Sequence, residues 1–331
     1  LTPGHPEYHP EIGIETTTGP LGQGFANGVG MGIAQRYLAD RYNRPGFPLF
    51  DYHIYAITSD GDLMEGVSGE AASIAGHLML GNMIYLYSDN RITIEGSTDI
   101  AFTEDVARRF EGMKWHVQKV GGNALEGVAR AIEAAKEEKA RPSIIIARTH
   151  IGFGSPGRQD TAEAHGSPLG KEEVRRAKEN LGWPLAPDFH IPEDAIKSFR
   201  EAIKSGDKIE GEWKTMFEAY AKEHPELAGE IRDIIEGRKN SGWVKDVPVF
   251  TEKDGAMATR SASGKVLNAI AGKTPLLMGG SADLAPSTNT LLKGMGDFLP
   301  DRAGRNLHFG VREHAMGAIL NGIAQSRAII P

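Results

Sequence analysis

Two hydrophobic patterns alternate over the first half of this chain. Short apolar runs of strand length are separated by longer segments in which apolar residues recur every three or four positions, as they do on one face of a helix. The predicted strands cover residues 53–58, 83–87, 115–120 and 143–147, and the predicted helices cover residues 25–38, 63–80, 103–110 and 124–138. Strands that alternate with helices form parallel sheets with right-handed crossovers. The pattern therefore predicts an α/β fold, in which a parallel sheet is flanked by helices.

The pattern changes after Thr149. Residues 150–170 are rich in Gly, Ser, Pro and His, which is typical of a long functional loop, and residues 171–237 are predicted to form mostly charged helices. A second α/β unit begins near residue 255, with predicted helices at 260–271 and 313–325 and predicted strands at 275–278 and 307–309. We therefore divide the chain into a first domain (1–241), a linker without clear periodicity (242–254) and the start of a second α/β domain (255–331).

Composition narrows the classes of protein that this chain can represent. Its 331 residues are enough for two domains, and 40% hydrophobic with 24% charged residues suits a globular protein with a sizeable core. The formal net charge of −7 disfavours nonspecific binding to nucleic acid or to an anionic membrane surface. The chain has no cysteine, which excludes disulfides, thiolate metal sites and thiol nucleophiles. No apolar stretch is long enough to span a bilayer, so a cytoplasmic protein without a nucleic-acid or membrane partner is expected.

Asp60 and Asn90 each follow one of two successive predicted strands. In an open parallel sheet, ligands bind outside the carboxyl ends of the strands, so one strand–helix–strand unit would bring these two side chains together there. Carboxylate and amide oxygens are ligands for Mg²⁺ or Ca²⁺, and Gly61 would let the backbone approach a diphosphate closely. Alternatively, Asp60-Gly61 is a plain turn and Asp60 caps the next helix.

The complete run from Asp60 to Asn90 is more restrictive than an Asp-Gly pair. It contains Asp60-Gly61, Glu65-Gly66, Glu70-Ala71 and Asp89-Asn90. This run resembles the thiamine diphosphate motif, which begins with Gly-Asp-Gly and ends in Asn about 30 residues later; here Ser59 stands in place of the first Gly. The resemblance implies thiamine diphosphate and a divalent cation, Mg²⁺ or Ca²⁺, as cofactors, with Asp60, Asn90 and the carbonyl of Ile92 as metal ligands.

Further segments on both sides of this run resemble transketolase. They are Thr2-Pro3-Gly4-His5-Pro6-Glu7, the run Glu15-Thr16-Thr17-Thr18-Gly19-Pro20-Leu21-Gly22-Gln23-Gly24, and the stretches 151–156, 165–169, 258–260, 279–287 and 311–316. The resemblance covers essentially the whole chain. It implies the thiamine-diphosphate-binding fold, with a diphosphate-binding domain at 1–241 and the start of a pyrimidine-binding domain at 255–331.

The resemblance also implies cofactor contacts. Glu313 would hydrogen-bond the aminopyrimidine and promote formation of the reactive ylide, and its expected place at a helix N-terminus favours a carboxylate. Ile151 would pack on the thiazolium ring, although simple loop packing is the alternative. The remaining residues expected at the cofactor are Gly19, Leu21, Gly61, Asn90, His165 and Asp283, and for Asp283 a turn or helix-cap residue is the alternative.

Substrate roles follow from the same resemblance. His5 and His165 match histidines at the reacting end of the substrate, where imidazoles can move protons near neutral pH. Arg260 and Ser287 match positions that bind the terminal phosphate of a sugar phosphate, with a surface ion pair or a helix cap as the alternative. The family pattern has a histidine where Ala162 stands, so the loop contacts near His165 are expected to differ.

The implied activity is transketolase: transfer of a two-carbon ketol group from a ketose phosphate, such as xylulose 5-phosphate, to an aldose phosphate, such as ribose 5-phosphate, in the pentose phosphate pathway. A homodimer is implied, with the active site at the subunit interface and Glu65 and Glu70 at the subunit contact, unless these two are ordinary helix-surface charges. Dihydroxyacetone synthase is the close alternative. Deoxyxylulose-phosphate synthase is more distant, and the run 16–24 argues against it.

Both ends of the sequence suggest an internal fragment. The chain starts at Leu1 without an initiator Met, and it stops at Pro331, just after a strongly helical segment. Compared with the family, it would lack an earlier segment with two further histidines, most of the pyrimidine domain and the C-terminal domain. A noncatalytic cofactor-binding fragment, or one part of a split enzyme, is therefore a further alternative, with little or no ketol transfer by this chain alone.

Overall fold

A parallel sheet forms the centre of the first domain. The computed structural model describes residues 5–238 and 242–331. Within those ranges the sheet has four strands in the order β1-β2-β4-β3. They are β1 (Ile54–Ser59), β2 (Met83–Asp89), β3 (His116–Gly121) and β4 (Ser143–Arg148). All three neighbouring pairs are parallel, which confirms the predicted fold class. Residues 143–147 of the central strand β4 are all buried, as expected for a strand covered on both faces.

Helices cover both faces of this sheet. The helices of this part of the chain are α1 (Gln23–Tyr42), α2 (Asp60–Met64), α3 (Gly66–His77), α4 (Val106–Gly112) and α5 (Leu125–Glu137). The larger core includes Phe25, Tyr85, Tyr87 and Trp115. A smaller cluster on the other face joins Ile84 and Ile145 to alanines of α5. Because successive strand residues point to opposite faces, Tyr85 and Tyr87 share one face of β2 and Ile84 lies on the other.

The helix predicted at 63–80 is interrupted in the structure. The chain turns helical already at Asp60, and Glu65 is extended (φ −65°, ψ 131°), so that α2 ends there and α3 begins at Gly66. The hydroxyl of Ser68 donates to the carbonyl of Asp62 at 2.6 Å and bridges the break. The prediction of a single helix was therefore wrong. Apolar residues recur at helical spacing across the whole segment, but the extended backbone of Glu65 divides it into two helices.

The charged segment after the long loop is helical, as predicted. Its helices are α6 (Glu163–Gly166), α7 (Lys171–Asn180), α8 (Glu193–Glu223) and α9 (Pro225–Ile235). Arg41 of α1 makes two-pronged hydrogen bonds to the carboxylate of Glu230, and Trp213 donates to the carbonyl of Leu49 at 3.0 Å. These hydrogen bonds hold α8 and α9 against the part of the chain that contains the sheet. No helix in the described ranges is long and apolar enough to cross a membrane.

The second α/β unit contains short strands between two longer helices. Its elements are α10 (Thr259–Ala271), β5 (Gly279–Ser281), α11 (Ala285–Thr288), β6 (Phe298–Leu299), β7 (Arg302–Ala303), β8 (Asn306–His308) and α12 (Glu313–Gln325). β5 pairs with β8 in parallel, and β6 pairs with β7 in an antiparallel hairpin. The strand predicted at 275–278 was wrong by several residues. The ladder forms at Gly280 instead, where a Cβ would lie 1.7 Å from the carbonyl oxygen of Leu307, so the close approach requires glycine.

Close packing between α1 and α12 joins the two parts of the chain. A Cβ on Gly30 would lie 2.0 Å from the carbonyl oxygen of Ile319, and one on Gly322 would lie 1.9 Å from that of Asn27. Glycine at both positions lets the helix backbones touch. Near the N-termini of the two helices, the side chains of Gln23 and His314 lie 2.7 Å apart.

Candidate active site

The carboxyl ends of β1 and β2 lie side by side. Ser59, the last residue of β1, is paired with Ser88 of β2. Asp60 follows Ser59 directly, and Asn90 follows the last residue of β2. The parallel pairing therefore brings these two side chains to one edge of the sheet, where an open α/β sheet binds its ligands.

The carboxylate of Asp60 is buried, and its two oxygens have different surroundings. Its residue is 3% exposed, and the Tyr87 hydroxyl donates to Oδ1 at 2.6 Å. Within the described residues, Oδ2 is also buried and has no hydrogen-bond partner. Burial and the nearby Asp89 charge raise the pKa of Asp60, whereas the Tyr87 hydrogen bond and the nearby backbone amides of Arg91 and Asn90 oppose that rise. A buried carboxylate oxygen without a donor is uncommon, and it is chemically suited to a hard cation.

Asn90 and Ile92 supply neutral oxygens beside it. The side-chain oxygen of Asn90 accepts a hydrogen bond from the amide of Ile92 at 2.8 Å and retains a second lone pair. Ile92 pairs with Ser97 in an isolated antiparallel bridge. The two backbone hydrogen bonds of this bridge are made by the neighbouring residues, from Thr93 to Gly96 and from Thr98 to Arg91. In such a pair the central residue's own N–H and C=O point outward, so the Ile92 carbonyl lies on the Asn90 side of the hairpin.

These donors fit the divalent cation that the sequence predicts. The set is one carboxylate oxygen, one amide oxygen and one backbone carbonyl, all hard ligands of the kind that Mg²⁺ and Ca²⁺ take. No group of three or more His, Cys, Asp or Glu side chains with metal-binding geometry occurs in residues 5–238 and 242–331. A cation held here would therefore depend on neutral oxygens and on ligands from the cofactor or water.

Asp62 ties this turn to the glycine-rich loop before α1, and the sequence reasoning missed it. Its Oδ1 accepts from the amide of Gly22 at 3.0 Å, and its Oδ2 accepts from the amide and the hydroxyl of Ser59 at 2.9 and 2.7 Å. Ser59 is in turn the N-cap of α2 and completes a capping box with Asp62. Ser59 therefore excludes the alternative in which Asp60 caps this helix. The spacing Ser-x-x-Asp, which is typical of a capping box at a helix N-terminus, could have indicated Asp62 in the sequence.

The predicted cofactor residues of the loop meet the same edge. A Cβ on Gly61 would lie 3.0 Å from Cδ1 of Leu21, so Leu21 rests on that glycine. Gly19 has φ +134°, and a Cβ there would lie 2.8 Å from Cγ of His5. His5 is exposed beside this loop. We refer below to this group as the Asp60 edge; its members are Gly19, Leu21, Asp60, Gly61, Asn90 and Ile92.

The N-terminus of α12 lies close to the same loop. Glu313 is the first residue of α12 and is exposed, and the imidazole of its neighbour His314 lies 2.7 Å from the side-chain nitrogen of Gln23. Glu70 of α3 accepts a hydrogen bond from the amide of Ala315 at 2.9 Å. A carboxylate at a helix N-terminus is stabilised by the free amides there. Glu70 thus contacts α12 within one chain, and its predicted place at a subunit contact stays a prediction.

Glu65 lies between α2 and α3, beside Gly22 of the loop before α1. It is the exposed residue between α2 and α3, and a Cβ on Gly22 would lie 2.8 Å from its own Cβ. Its predicted subunit role also stays a prediction.

The loop after β4 carries Ile151 and His165. The amide of Asp160 donates to the carbonyl of Ile151 at 3.0 Å, and the Asp160 carboxylate lies 2.8 Å from the His150 ring. Gly152 packs against Ala164 of α6, where a Cβ on the glycine would lie 3.1 Å from the alanine Cβ. The loop therefore folds back on itself, with Ile151 half-buried and His165 exposed. The His150–Asp160 pair was not foreseen from the sequence.

Asp283 lies on a separate cavity of about 950 Å³ in the second unit. We call this the Asp283 cavity; its lining residues include Ser261 and Lys265 of α10, Pro286 of α11, and His308. Asp283 is exposed and has φ +64°, a backbone conformation that Asp tolerates better than most residues. The structure thus gathers the predicted cation and diphosphate residues at one edge and leaves this aspartate on another surface.

The predicted phosphate ligands flank the Asp283 cavity. Arg260 and Ser287 are both exposed, and each is adjacent in sequence to a lining residue. All lining residues of this cavity belong to the second unit. Arg260 and Ser287 are therefore next in sequence to residues of this cavity, and no member of the Asp60 edge lines it.

Comparison with known proteins decides the family. Residues 1–240 match the family model for the thiamine diphosphate binding domain of transketolase, and residues 255–331 match the model for its pyrimidine binding domain. This chain belongs to the transketolase family. The relatives that carry this name are enzymes, and the first match places thiamine diphosphate binding in the domain that contains the Asp60 edge.

Individual relatives agree. The chain is 50% identical over 326 residues to the transketolase of Geobacillus stearothermophilus, covering 98% of this chain and 49% of the relative. The solved transketolase of Leishmania mexicana superposes with a TM-score of 0.96 at 40% identity, over 100% of this chain and 49% of that one. A Pichia stipitis transketolase in complex with sedoheptulose 7-phosphate gives 0.92 at 44% identity, over 95% and 47%. The chain therefore spans about half the length of the relatives that it matches.

Proposed function

We propose that this chain carries the thiamine diphosphate and cation site of a transketolase that moves a two-carbon ketol group from a ketose phosphate to an aldose phosphate in the pentose phosphate pathway. The observation that supports the site most strongly is the buried Oδ2 of Asp60, which has no donor in the described residues and lies beside the Asn90 turn. The match of residues 1–240 to a thiamine diphosphate binding domain supports the identity of the ligand.

In this proposal the Asp60 edge holds the diphosphate and its cation. Asp60, Asn90 and the Ile92 carbonyl would bind Mg²⁺ or Ca²⁺, and Gly61 would leave the backbone open to phosphate oxygens. Thiamine diphosphate, when bound, supplies the carbanion chemistry that breaks and forms the carbon–carbon bond. The backbone of Gly19 and Leu21 would line the cofactor on the opposite side of the edge.

Other residues of the chain would orient the organic part of the cofactor. Glu313 lies at the N-terminus of α12, where the free amides favour its carboxylate form, and it would hydrogen-bond the aminopyrimidine. Ile151 would contact the thiazolium, and Asp283 the cofactor from the second unit. His165 would contact both cofactor and substrate.

Sugar phosphates are the proposed substrates. His5 and His165 are exposed imidazoles that could accept or donate protons at substrate hydroxyls, and Arg260 and Ser287 could bind a terminal phosphate. The Pichia stipitis transketolase was solved with sedoheptulose 7-phosphate, which supports this substrate class.

We also propose the division of the chain into a diphosphate-binding domain (1–241), a linker (242–254) and a pyrimidine-binding part (255–331). A homodimer, with Glu65 and Glu70 near the subunit contact, and a cytoplasmic location complete the proposal. Sedimentation of the purified chain would test the dimer, and a monomer at assay concentration would contradict it.

The direct test of function is titration of the purified chain with thiamine diphosphate by isothermal calorimetry, with and without MgCl₂. We expect binding that depends on the cation. Absence of binding with MgCl₂ present would contradict the proposal.

A ketol transfer assay then tests the reaction, with xylulose 5-phosphate as donor and either ribose 5-phosphate or formaldehyde as acceptor. We expect ribose 5-phosphate to be preferred, whereas preference for formaldehyde would favour dihydroxyacetone synthase. In this chain alone we expect little turnover, because its relatives are about twice as long. Turnover at the level of the full-length relatives would overturn that expectation.

A further inference from the structure

Two buried tyrosines on β2 make different hydrogen bonds. Tyr85 and Tyr87 are two residues apart and therefore point to the same face of the strand. Tyr85 donates to the backbone carbonyl of Phe25 at 2.7 Å, whereas Tyr87 donates to the carboxylate of Asp60 at 2.6 Å. They are 0% and 3% exposed. The chain thus offers two comparable phenols, only one of which touches the Asp60 edge.

The Tyr87 hydroxyl makes the two oxygens of Asp60 inequivalent. Oδ1 accepts the hydrogen bond of the phenol, whereas Oδ2 has no hydrogen-bond partner in the described residues. A rotation of the carboxylate would break this short hydrogen bond inside a buried site, where an unmet polar group is costly. The carboxylate plane is therefore fixed, with one oxygen available and the other engaged.

We propose that Tyr87 is a positioning residue that makes Asp60 a one-oxygen ligand of the divalent cation. This inference rests on the proposed function, because it concerns the same cation site. Groups that hydrogen-bond to metal-ligating carboxylates fix the orientation of those ligands.

The arrangement has a consequence for cation choice. Mg²⁺ requires near-octahedral geometry and short bonds to single oxygens, whereas Ca²⁺ accepts carboxylates that bind through both oxygens. A carboxylate restricted to one oxygen suits Mg²⁺. Without the phenol, Asp60 is free to offer both oxygens, which disfavours Mg²⁺ more than Ca²⁺.

The surroundings of Tyr87 allow the test variant to fold. Tyr87 and Asp60 both line a cavity of about 460 Å³, together with Asp89, Arg91 and Arg148. Water in this polar cavity can replace the lost donor when Tyr87 becomes Phe. Tyr85 is not among the residues that line this cavity, so Tyr85→Phe is the more demanding change for the fold.

The experiment compares Tyr87→Phe with the matched control Tyr85→Phe and the wild-type chain. MgCl₂ and CaCl₂ are titrated separately into each protein by calorimetry in the presence of thiamine diphosphate. We expect Tyr87→Phe to weaken Mg²⁺ binding by about 10–100-fold, with a smaller loss for Ca²⁺, and Tyr85→Phe to stay within about twofold of wild type. Urea unfolding without ligands should show Tyr87→Phe to be no less stable than Tyr85→Phe.

Each other outcome overturns the inference. Equal Mg²⁺ affinity in the two variants would show that Tyr87 has no role in cation binding. Equal losses for Mg²⁺ and Ca²⁺ in Tyr87→Phe would show that Tyr87 does not control the orientation of the Asp60 carboxylate. A Tyr87→Phe chain that does not fold, while Tyr85→Phe folds, would show a structural requirement instead. Failure of the wild-type chain to bind either cation would overturn the proposed cation site itself, and the wild-type titration distinguishes that case from the others.

Discussion

The Asp60 edge and the Asp283 cavity differ in how firmly their side chains are held. At the edge, Asp60 is buried and bonded to Tyr87, and Asp62 fixes both Ser59 and the loop before α1. At the cavity, Asp283 is exposed. A buried, hydrogen-bonded side chain loses little conformational freedom when a ligand binds, whereas an exposed side chain must become ordered at that moment. The comparison indicates that the Asp60 side chain is already held in place without a ligand, whereas Asp283 is not.

The largest expected effect is the loss of cofactor binding in Asp60→Asn. The substitution removes the only charged oxygen among the three proposed ligands. Even the loss of a group that only hydrogen-bonds to a metal ligand commonly costs about 10–100-fold in metal affinity. We expect affinity for thiamine diphosphate with MgCl₂ to fall by about 100-fold or more in calorimetry. Asp207→Asn, at an exposed position of α8 that does not line the cavity beside Asp60, is the control and should bind as wild type. Unchanged binding in Asp60→Asn would mean that the edge is not the cation site.

The next effect is expected at Gly19. Alanine there would adopt an unfavourable φ of +134° and press its Cβ against the His5 ring, at a cost of about 1–3 kcal/mol. We expect cofactor affinity to fall by about tenfold. Gly13→Ala is the matched control, because Gly13 also has positive φ but no atom within 4 Å of the added Cβ. A similar loss of affinity in both variants would show that backbone strain alone is responsible.

Ser59 tests the link between the capping box and the edge. Ser59→Ala removes the N-cap of α2 and one of the anchors of Asp62, so the free energy of unfolding should fall by about 1 kcal/mol. Ser59→Gly, which restores the glycine of the family motif, should lower the free energy of unfolding by only about a few tenths of a kcal/mol. Urea denaturation measures both. A loss in Ser59→Gly as large as in Ser59→Ala would contradict the capping argument.

The ionisation of Asp60 predicts a pH effect without ligands. Burial raises the pKa of this carboxyl above its ordinary value of 3.8, so the folded chain holds the proton more tightly than the unfolded chain. Its contribution to stability is therefore present below that value and is lost as pH rises through the folded pKa. Asp60→Asn should gain stability relative to wild type as pH increases from about 4 to 7. A constant difference across that range would contradict the shift.

The smallest effect is expected at the Asp283 cavity. Asp283→Asn keeps a residue that tolerates positive φ and changes an exposed group, so the free energy of unfolding should stay within about 0.5 kcal/mol of wild type. A larger loss in thermal or urea unfolding would show that this surface is as tightly held as the Asp60 edge.

The sequence predicted the parts of the fold that depend on local periodicity. The bounds of α12 agree with the predicted helix 313–325, and each of the four predicted strands of the sheet overlaps an observed strand. The strand at Gly279–Ser281 was missed, because its glycines carry no β-forming side chains and it exists through the close approach of β8.

The proximity of Asp60 and Asn90 was predictable from the sequence, but the hydrogen bonds around them were not. The Asp60 to Asn90 run, read as a motif, named residues that the sheet brings to one edge. The bonds from Tyr87 to Asp60 and from Asp62 to Gly22 depend on strand register and on side-chain direction across 27 and 40 residues, respectively. Such contacts leave no periodic signal in one sequence.

The most direct test is the position of the bound cation. Crystals of this chain grown with thiamine diphosphate and MnCl₂ would locate manganese by its anomalous scattering. The account predicts one peak at about 2.2 Å from Asp60 Oδ2, with the Asn90 side-chain oxygen and the Ile92 carbonyl also within bonding distance and Oδ1 still bonded to Tyr87. A peak at another place, or none at the Asp60 edge while the cofactor is bound, would contradict it.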